Sequence, residues 1–154
     1  MEYDDEIAGG FLKWFPGVNF TGMSVFDIGS GYGGRSARFR ELGAGSVVGL
    51  EIFPRMVDES RAFAQSKGLT NMEFQVGEGE HLPFAGNSFD IVTSYDVFEH
   101  VHDLDRVFDE CMRVLKPGGR LLAIFPPFYH PCGSHLEGGS PRYPGRTSFF
   151  AARL

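Results

Sequence analysis

The chain has 154 residues, of which 42% are hydrophobic and 22% charged, enough apolar material for one folded domain and too much for a disordered chain. A net charge of −6 argues against a nucleic-acid binder held by phosphate contacts. No apolar run approaches the roughly 18 residues of a membrane span, no signal peptide opens the chain, and Cys111 and Cys132 form no disulfide framework. We therefore expect a cytoplasmic protein with no membrane contact.

Short apolar runs alternate with segments of helix length along the first 125 residues. Apolar content and bounding turn residues predict strands at residues 24–28, 46–50, 72–76, 89–94 and 120–125. Helices are predicted up to residue 42, from 54 to 68, and after the capping residue Asp103, where apolar side chains recur at three- and four-residue spacing. This order predicts a parallel sheet with helices on both faces.

A glycine-rich segment follows the first strand. Residues 27–34 (DIGSGYGG) allow the backbone to turn tightly and to approach a ligand without interference from Cβ atoms. Backbone N–H groups at the start of a helix favour an anionic group. Glu51 closes the second strand 20 residues after Gly31, where a carboxylate can accept hydrogen bonds from ribose hydroxyls. A nucleoside ligand is therefore predicted.

Four segments in order resemble one protein family. Residues 25–33 (VFDIGSGYG), 77–84 (GEGEHLPF), 89–101 (FDIVTSYDVFEHV) and 113–119 (RVLKPGG) resemble the motifs of class I S-adenosylmethionine-dependent methyltransferases. Together they are similar to the type 11 branch, which acts on small molecules. The resemblance covers roughly residues 20–130 and implies a methyl transfer to oxygen, nitrogen or carbon of a small-molecule acceptor.

The resemblance also implies an architecture: a three-layer α/β domain with a Rossmann-like parallel sheet in the strand order 3-2-1-4-5. The family normally adds two strands after the fifth. Here only residues 147–152 offer a candidate, and their alternation is too weak to count as a strand. We expect an N-terminal cap segment at 1–20, a cofactor-binding domain at 21–130 and an irregular tail at 131–154. The fifth strand would then be an exposed edge, open to self-association.

The family's cofactor is S-adenosyl-L-methionine, and its roles transfer to matching residues. The loop glycines would pass beside the methionine part, with Asp27 orienting the loop and the amino group of the cofactor. Glu51 would hold the ribose hydroxyls, and Glu78, where the family usually has Asp, would accept from the adenine amino group. Ser94 and Tyr95 would face the methyl-bearing sulfonium. The complete predicted cofactor site is Asp27, Gly29, Ser30, Gly31, Gly33, Glu51, Ile52, Gly77, Glu78, Gly79, Ser94 and Tyr95.

His100 is the predicted catalytic residue. Oxygen and nitrogen acceptors can need a general base, and histidine suits that role near neutral pH; the alternative is that His100 only holds the strand-exit loop by hydrogen bonds. Residues 96–100 (DVFEH) resemble a run that holds a divalent cation in ubiquinone-pathway O-methyltransferases, but Glu-His-Val also occurs in relatives that need no metal. Residues 130–135 (HPCGSH) lack a fourth zinc ligand. No metal site is predicted.

The acceptor is expected between the N-terminal segment and the loop after the fifth strand, where aromatic residues at 125–131 suit an apolar or planar molecule. The apolar N-terminal residues can line this site or, alternatively, pack against the sheet; they are Ile7, Phe11, Leu12, Trp14 and Phe15.

Two other functions stay open. One is a non-catalytic cofactor-binding fragment or partner subunit. The other is an NAD-dependent oxidoreductase, because Gly29-x-Gly31-x-x-Gly34 with Glu51 also satisfies the dinucleotide fingerprint.

Overall fold

The predicted strands form one sheet in the computed structural model, which describes residues 10–125 and 149–153. The strands are β1 (Ser24–Ile28), β2 (Ser46–Glu51), β3 (Met72–Val76), β4 (Phe89–Tyr95), β5 (Leu115–Ile124) and β6 (Phe149–Arg153). The helices are α1 (Gly34–Glu41), α2 (Pro54–Ser66) and α3 (Leu104–Val114), preceded by a helical turn at residues 10–14. The sheet order is β3-β2-β1-β4-β5-β6, and its first five strands are parallel. The predicted order 3-2-1-4-5 is confirmed.

Apolar side chains cover both faces of the sheet, as expected of a three-layer domain. One cluster packs α3 against the sheet and includes Phe26, Val92 and Phe108. The other face is covered by the segment before β1 together with α1, through Phe11 and Phe39 among others.

Asp103 caps α3 as predicted, accepting a 2.9 Å hydrogen bond from the backbone N–H of Arg106. Within the described residues, no helix is both long and apolar enough to cross a bilayer.

The structure corrects the prediction at the end of the sheet. Residues 149–153 pair antiparallel with residues 120–124 of β5, so the judgement that 147–152 is too weak for a strand was wrong. The segment lacks clear alternation but forms a strand because β5 offers it hydrogen-bond partners. β5 is consequently not an edge strand, and the expected route to self-association through its edge is lost. Residues 126–148 lie outside the described residues.

A second difference concerns the start of the fifth strand, which was predicted at residue 120. β5 already begins at Leu115, which pairs with Phe89, and the next pair joins Arg120 to Ile91. The intervening residues therefore bulge out of the ladder, with Gly118 at a φ of 80° that favours glycine. The strand therefore starts five residues earlier than predicted and is interrupted at residues 116–119.

The long loop between β3 and β4 is fastened to α3. The backbone N–H of Leu82 donates to Glu110 Oε2 at 2.8 Å, while Arg113 donates to the carbonyls of Phe84 at 2.7 Å and Leu82 at 3.0 Å. Arg113 Nε also donates to Glu110 Oε1 at 2.7 Å. These bonds fix a loop with no regular structure, and the loop carries residues 77–79 to the end of the sheet.

The hydrogen bonds of Glu110 to Leu82 and Arg113 predict that the free energy of unfolding falls in acid. Hydrogen bonds from the Arg113 side chain, and then from the Leu82 N–H, lower the pKa of Glu110 from 4.5 to about 2. Burial of the carboxylate opposes this shift in part. The charged carboxylate therefore stabilises the fold above its ordinary pKa, and this contribution disappears as the pH falls toward the lowered value. We expect Glu110→Gln to cost about 1.5 kcal/mol at neutral pH, with the difference from the parent protein shrinking in acid.

Urea unfolding of both proteins between about pH 7 and about pH 3 measures this difference. Glu41→Gln is the control, since Glu41 pairs with Arg38 on the surface and such pairs contribute about 0–1 kcal/mol. A Glu110→Gln penalty that stayed constant over the whole pH range would contradict the assignment.

Candidate functional site

A cavity of about 640 Å³ opens at the carboxyl ends of the strands. It lies where the strand order reverses, with β1 between β2 and β4, which is the usual ligand position in a parallel α/β sheet. Four loops form its wall. The lining residues are Ile28, Gly29, Gly31, Leu50, Glu51, Ile52, Phe53, Met56, Gly77, Glu78, Gly79, Glu80, Tyr95, Asp96, Val97, His100, Val101 and His102.

Glu51 joins the glycine loop to the end of β2. Its Oε2 accepts a hydrogen bond from the Gly31 N–H at 3.0 Å, and Oε1 accepts from the N–H groups of Ile52 at 2.9 Å and Phe53 at 3.3 Å. A carboxylate has about four acceptor positions, so Glu51 can still accept from a ligand. The Glu51 residue is 8% exposed, and its carboxylate forms part of the cavity wall.

The positive backbone angles of Gly29 and Gly31 shape the loop. Their φ values of 67° and 55° fall in the left-handed region that favours glycine. A Cβ atom at Gly29 would collide with the side chain of Val97, whereas a Cβ atom at Gly31 would meet nothing within 4 Å. Gly29 therefore allows a close approach between the loop and the segment after β4, and Gly31 leaves open space beside the cavity.

Asp27 lies behind the cavity and is fully buried. Its carboxylate accepts hydrogen bonds from Arg35 Nε at 2.9 Å, Ser36 Oγ at 2.6 Å and Thr93 Oγ1 at 2.8 Å. These contacts connect β1 to α1 and to β4. Asp27 does not itself line the cavity.

The segment after β4 brings two acidic side chains together. Asp96 has a φ of 51° and lines the cavity; burial raises the pKa of its carboxyl, an effect that nearby Arg35 and His100 oppose. Burial likewise raises the pKa of Glu99, and the Asp96 carboxylate adds to this rise. The Oε2 atom of Glu99 has no hydrogen-bond partner among the described residues. His100 Nε2 lies 3.8 Å from Glu99 Oε1, and the imidazole is 68% exposed at the cavity wall.

Most of the predicted site residues meet at this cavity. They are Gly29, Gly31, Glu51, Ile52, Gly77, Glu78, Gly79, Tyr95 and His100. The other four do not line it. Asp27, Ser30 and Ser94 are buried, and the hydroxyls of the two serines have no hydrogen-bond partner among the described residues. Gly33 begins α1, where a Cβ atom would meet Ser60 and Phe74, so its small size serves packing.

Sequence reasoning did not assign Phe53, Met56, Asp96 or Arg35 to this site. Phe53 and Met56 line the cavity, and Phe53, which is 59% exposed although apolar, directly follows the predicted contact Ile52. Asp96 was considered only within a metal-binding run. Arg35 follows the glycine loop, but only the fold reveals that it reaches back to Asp27.

The predicted acceptor-side residues divide into buried and exposed groups. Phe11 and Phe15 belong to the core beneath the sheet, whereas Trp14 is 57% exposed. Ile7 and residues 126–131 lie outside the described residues, as does the His130–His135 run. Over residues 10–125 and 149–153, no three His, Cys, Asp or Glu side chains come together as metal ligands.

The charges at the cavity fit a cationic nucleoside. The described lining contains four carboxylate residues, Glu51, Glu78, Glu80 and Asp96, and neither Lys nor Arg. Apolar lining residues such as Leu50 and Met56 alternate with these acids. Carboxylates suit ribose hydroxyls, an amino group and a positive charge, while the apolar walls suit a planar base.

Comparison with known proteins agrees with this geometry. The family described as "Methyltransferase domain" matches residues 26–123. The chain is 38% identical over 100 residues to the uncharacterized methyltransferase YcgJ of Bacillus subtilis, covering 65% of this chain and 39% of that protein. It is also 38% identical over 103 residues to the ubiquinone biosynthesis O-methyltransferase of Cereibacter sphaeroides, covering 67% of this chain and 41% of that protein.

Solved structures share the fold. The PH0226 protein of Pyrococcus horikoshii superposes with a TM-score of 0.70 at 32% identity, over 82% of this chain and 59% of that one. The chain spans about two fifths of the length of the two curated relatives named above. The family match covers most of the sheet and every loop of the cavity. The chain therefore belongs to the class I S-adenosylmethionine-dependent methyltransferases.

Proposed function

We propose that the chain binds S-adenosyl-L-methionine in the cavity and transfers its methyl group to oxygen, nitrogen or carbon of a small-molecule acceptor. The observation that carries the proposal is the contact between the Glu51 carboxylate and the Gly31 N–H at 3.0 Å. It joins a ribose-binding acid and a glycine loop at one cavity wall, each with room for a ligand. Family membership supports the cofactor.

In this proposal, β2 and β3 provide the adenosine half of the site. Glu51 would accept hydrogen bonds from the ribose hydroxyls, and Ile52 with Phe53 would flank the base; both apolar residues are more than half exposed at the cavity. Glu78 would accept from the adenine amino group, with Gly77 and Gly79 allowing the backbone to approach. A Cβ atom at Gly77 would overlap a terminal methyl group of Leu50, so a larger residue here would displace that side chain.

The loops after β1 and β4 would hold the methionine half. Gly29 and Gly31 line the cavity from the loop after β1, and Tyr95 and Asp96 line it from the end of β4. When bound, the cofactor supplies a methyl group already activated by its sulfonium. The chain must then orient the acceptor in line with that group and exclude water. The apolar side chains of Val97 and Val101 at this end of the cavity serve the exclusion of water.

His100 would act as the general base for an oxygen or nitrogen acceptor. Its imidazole is exposed at the cavity wall, with Nε2 3.8 Å from Oε1 of the buried Glu99 carboxylate. The proton would move from the acceptor to His100 as the acceptor bonds to the methyl carbon and the bond from that carbon to the sulfonium sulfur breaks, which would leave S-adenosylhomocysteine as the neutral thioether product. Asp96 lies on the same wall, so the acceptor end of the cavity is acidic.

The role of Glu51 predicts a loss of cofactor affinity in Glu51→Gln. Replacing a charged acceptor with an amide weakens the hydrogen bonds to the ribose, and such bonds contribute about 1.5–3 kcal/mol. We expect S-adenosylhomocysteine to bind about 10- to 100-fold more weakly, measured by isothermal titration calorimetry. Glu73→Gln is the matched control, because Glu73 lies on β3 with its side chain hydrogen-bonded to Gln75 away from the cavity.

A comparison of melting temperatures with two ligands separates the proposal from the NAD alternative. S-adenosylhomocysteine should raise the melting temperature of the parent protein and NADH should not. If NADH alone raised the melting temperature, the cavity would be a dinucleotide-binding site and the proposal would be wrong. Equal affinities of the parent and Glu51→Gln for S-adenosylhomocysteine would remove Glu51 from the site.

The close approach at Gly29 predicts that Gly29→Ala is more damaging than Gly31→Ala. Both variants place alanine at a positive φ, which costs about 1–2 kcal/mol, but only Gly29→Ala also meets the Val97 side chain. This overlap should add about 1–3 kcal/mol and displace a cavity wall. Urea unfolding measures the difference, and equal penalties for the two variants would contradict the close contact.

The assignment of His100 predicts a loss of turnover without a loss of cofactor binding. For an oxygen or nitrogen acceptor, His100→Asn should reduce transfer of a labelled methyl group by about 10²- to 10⁴-fold, with affinity for S-adenosylhomocysteine changed less than about twofold. The exposed His81, in the loop before β4 and outside the cavity lining, provides the control His81→Asn. If His100→Asn transferred the labelled methyl group as fast as the parent protein, His100 would not be the general base.

A further inference from the structure

Arg35 is a buried arginine directly behind the proposed methyl-donor site. It lies in the first turn of α1 and is only 7% exposed. A buried guanidinium is costly unless it is paired and its donors are satisfied. Asp27 provides the pairing charge, with 2.7 Å between Arg35 Nη2 and Asp27 Oδ1. The pair is therefore neutral as a whole, which lets it lie beneath a cavity suited to a cation.

The remaining contacts of Arg35 hold the backbone of the glycine loop. Nη2 donates to the carbonyl of Gly29 at 3.0 Å and approaches the carbonyl of Ile28 at 3.4 Å. Both residues line the cavity. Arginine makes these contacts through Nη2 while Nε donates to Asp27, so two nitrogens held in one plane serve both; a lysine has one nitrogen and no such fixed geometry.

Two aromatic rings flank the same guanidinium. The Arg35 Cζ atom lies 5.9 Å from the centre of the Phe11 ring and 6.0 Å from that of Tyr95, within the range of cation–π attraction. The two rings contact each other edge to face at 6.2 Å. Tyr95 lines the cavity, and Phe11 belongs to the N-terminal helical turn. Arg35 thus connects the glycine loop, the end of β4 and the N-terminal segment.

We propose that Arg35 is a positioning residue for the methionine arm of the cofactor: it fixes the Ile28–Gly29 backbone and the Tyr95 ring on either side of that arm. The inference rests on the proposed function, which puts the methionine half between these two walls. The adenosine half lies against Glu51 and Glu78, which Arg35 does not contact. Loss of the guanidinium fork should therefore weaken binding of the arm and spare the nucleoside.

The test is Arg35→Lys in the full chain, which keeps the positive charge beside Asp27 and removes the fork. Calorimetry is carried out with S-adenosylhomocysteine and with methylthioadenosine, which lacks the aminobutyrate arm. We expect S-adenosylhomocysteine to bind at least about 10-fold more weakly, the equivalent of about 1.4 kcal/mol, and methylthioadenosine to change less than about threefold. The matched control is Arg38→Lys, since Arg38 lies on the same helix and pairs with Glu41 at the surface.

A purely structural role would lower the melting temperature and weaken both ligands alike, or neither, and either result would overturn the proposal. If the parent protein fails to bind S-adenosylhomocysteine, the proposed function itself fails; if the parent binds it and Arg35→Lys shows no difference between the ligands, only the role of Arg35 fails. Phe11→Leu provides a second test should Arg35→Lys not fold. Phe11 is fully buried and outside the cavity lining, so its replacement should weaken S-adenosylhomocysteine alone, by about threefold.

Discussion

The position of β1 between β2 and β4 is the constraint on which the site depends. The chain leaves β1 for β2 through α1 on one face of the sheet, and α3 covers the other face beside β4 and β5. The loops on either side of β1 diverge and leave a crevice above its carboxyl end. Every loop that borders the cavity reaches it because its strand ends at this same edge, as the pairings of Ile28 with Leu50 and with Ser94 demonstrate.

Two layers of polar groups then give this crevice its chemistry. The outer layer borders the ligand space and is acidic, with Glu51 tied to the glycine loop through the Gly31 N–H. The inner layer is the buried pair of Asp27 and Arg35, supported by Ser36 and Thr93. The inner layer cancels its own charge and satisfies its own hydrogen bonds. The outer carboxylates can therefore face a positively charged ligand while a buried guanidinium lies just below them.

Much of the fold was predictable because local patterns decide it. β1, β2 and β4 are largely apolar, β3 alternates apolar and polar residues, and Asp103 and Pro54 occupy positions typical of a helix start. Two features depend on distant partners instead. Residues 149–153 become a strand by pairing with β5, and residues 116–119 bulge within β5 because the ladder resumes at Arg120. The sequence close to either segment does not determine these pairings.

The site was predictable to the extent that chain position decides it. The spacing of Glu51 from Gly31 placed both at one edge of the sheet, where they are in direct contact. Spacing does not determine which way a side chain points. Ser94 lies at the correct level of β4 but is buried, whereas its neighbour Tyr95 lines the cavity. Arg35 was missed for a related reason, since its partner Asp27 is buried and becomes a neighbour only once α1 folds back against β1.

The most direct test of the central claim is a crystal structure with S-adenosylhomocysteine bound. We expect the ribose hydroxyls within about 3 Å of the Glu51 carboxylate, the adenine beside Ile52 and Glu78, and the amino acid arm between Gly29 and Tyr95. Ligand density elsewhere on the protein, or a ligand in the cavity whose ribose points away from Glu51, would contradict it.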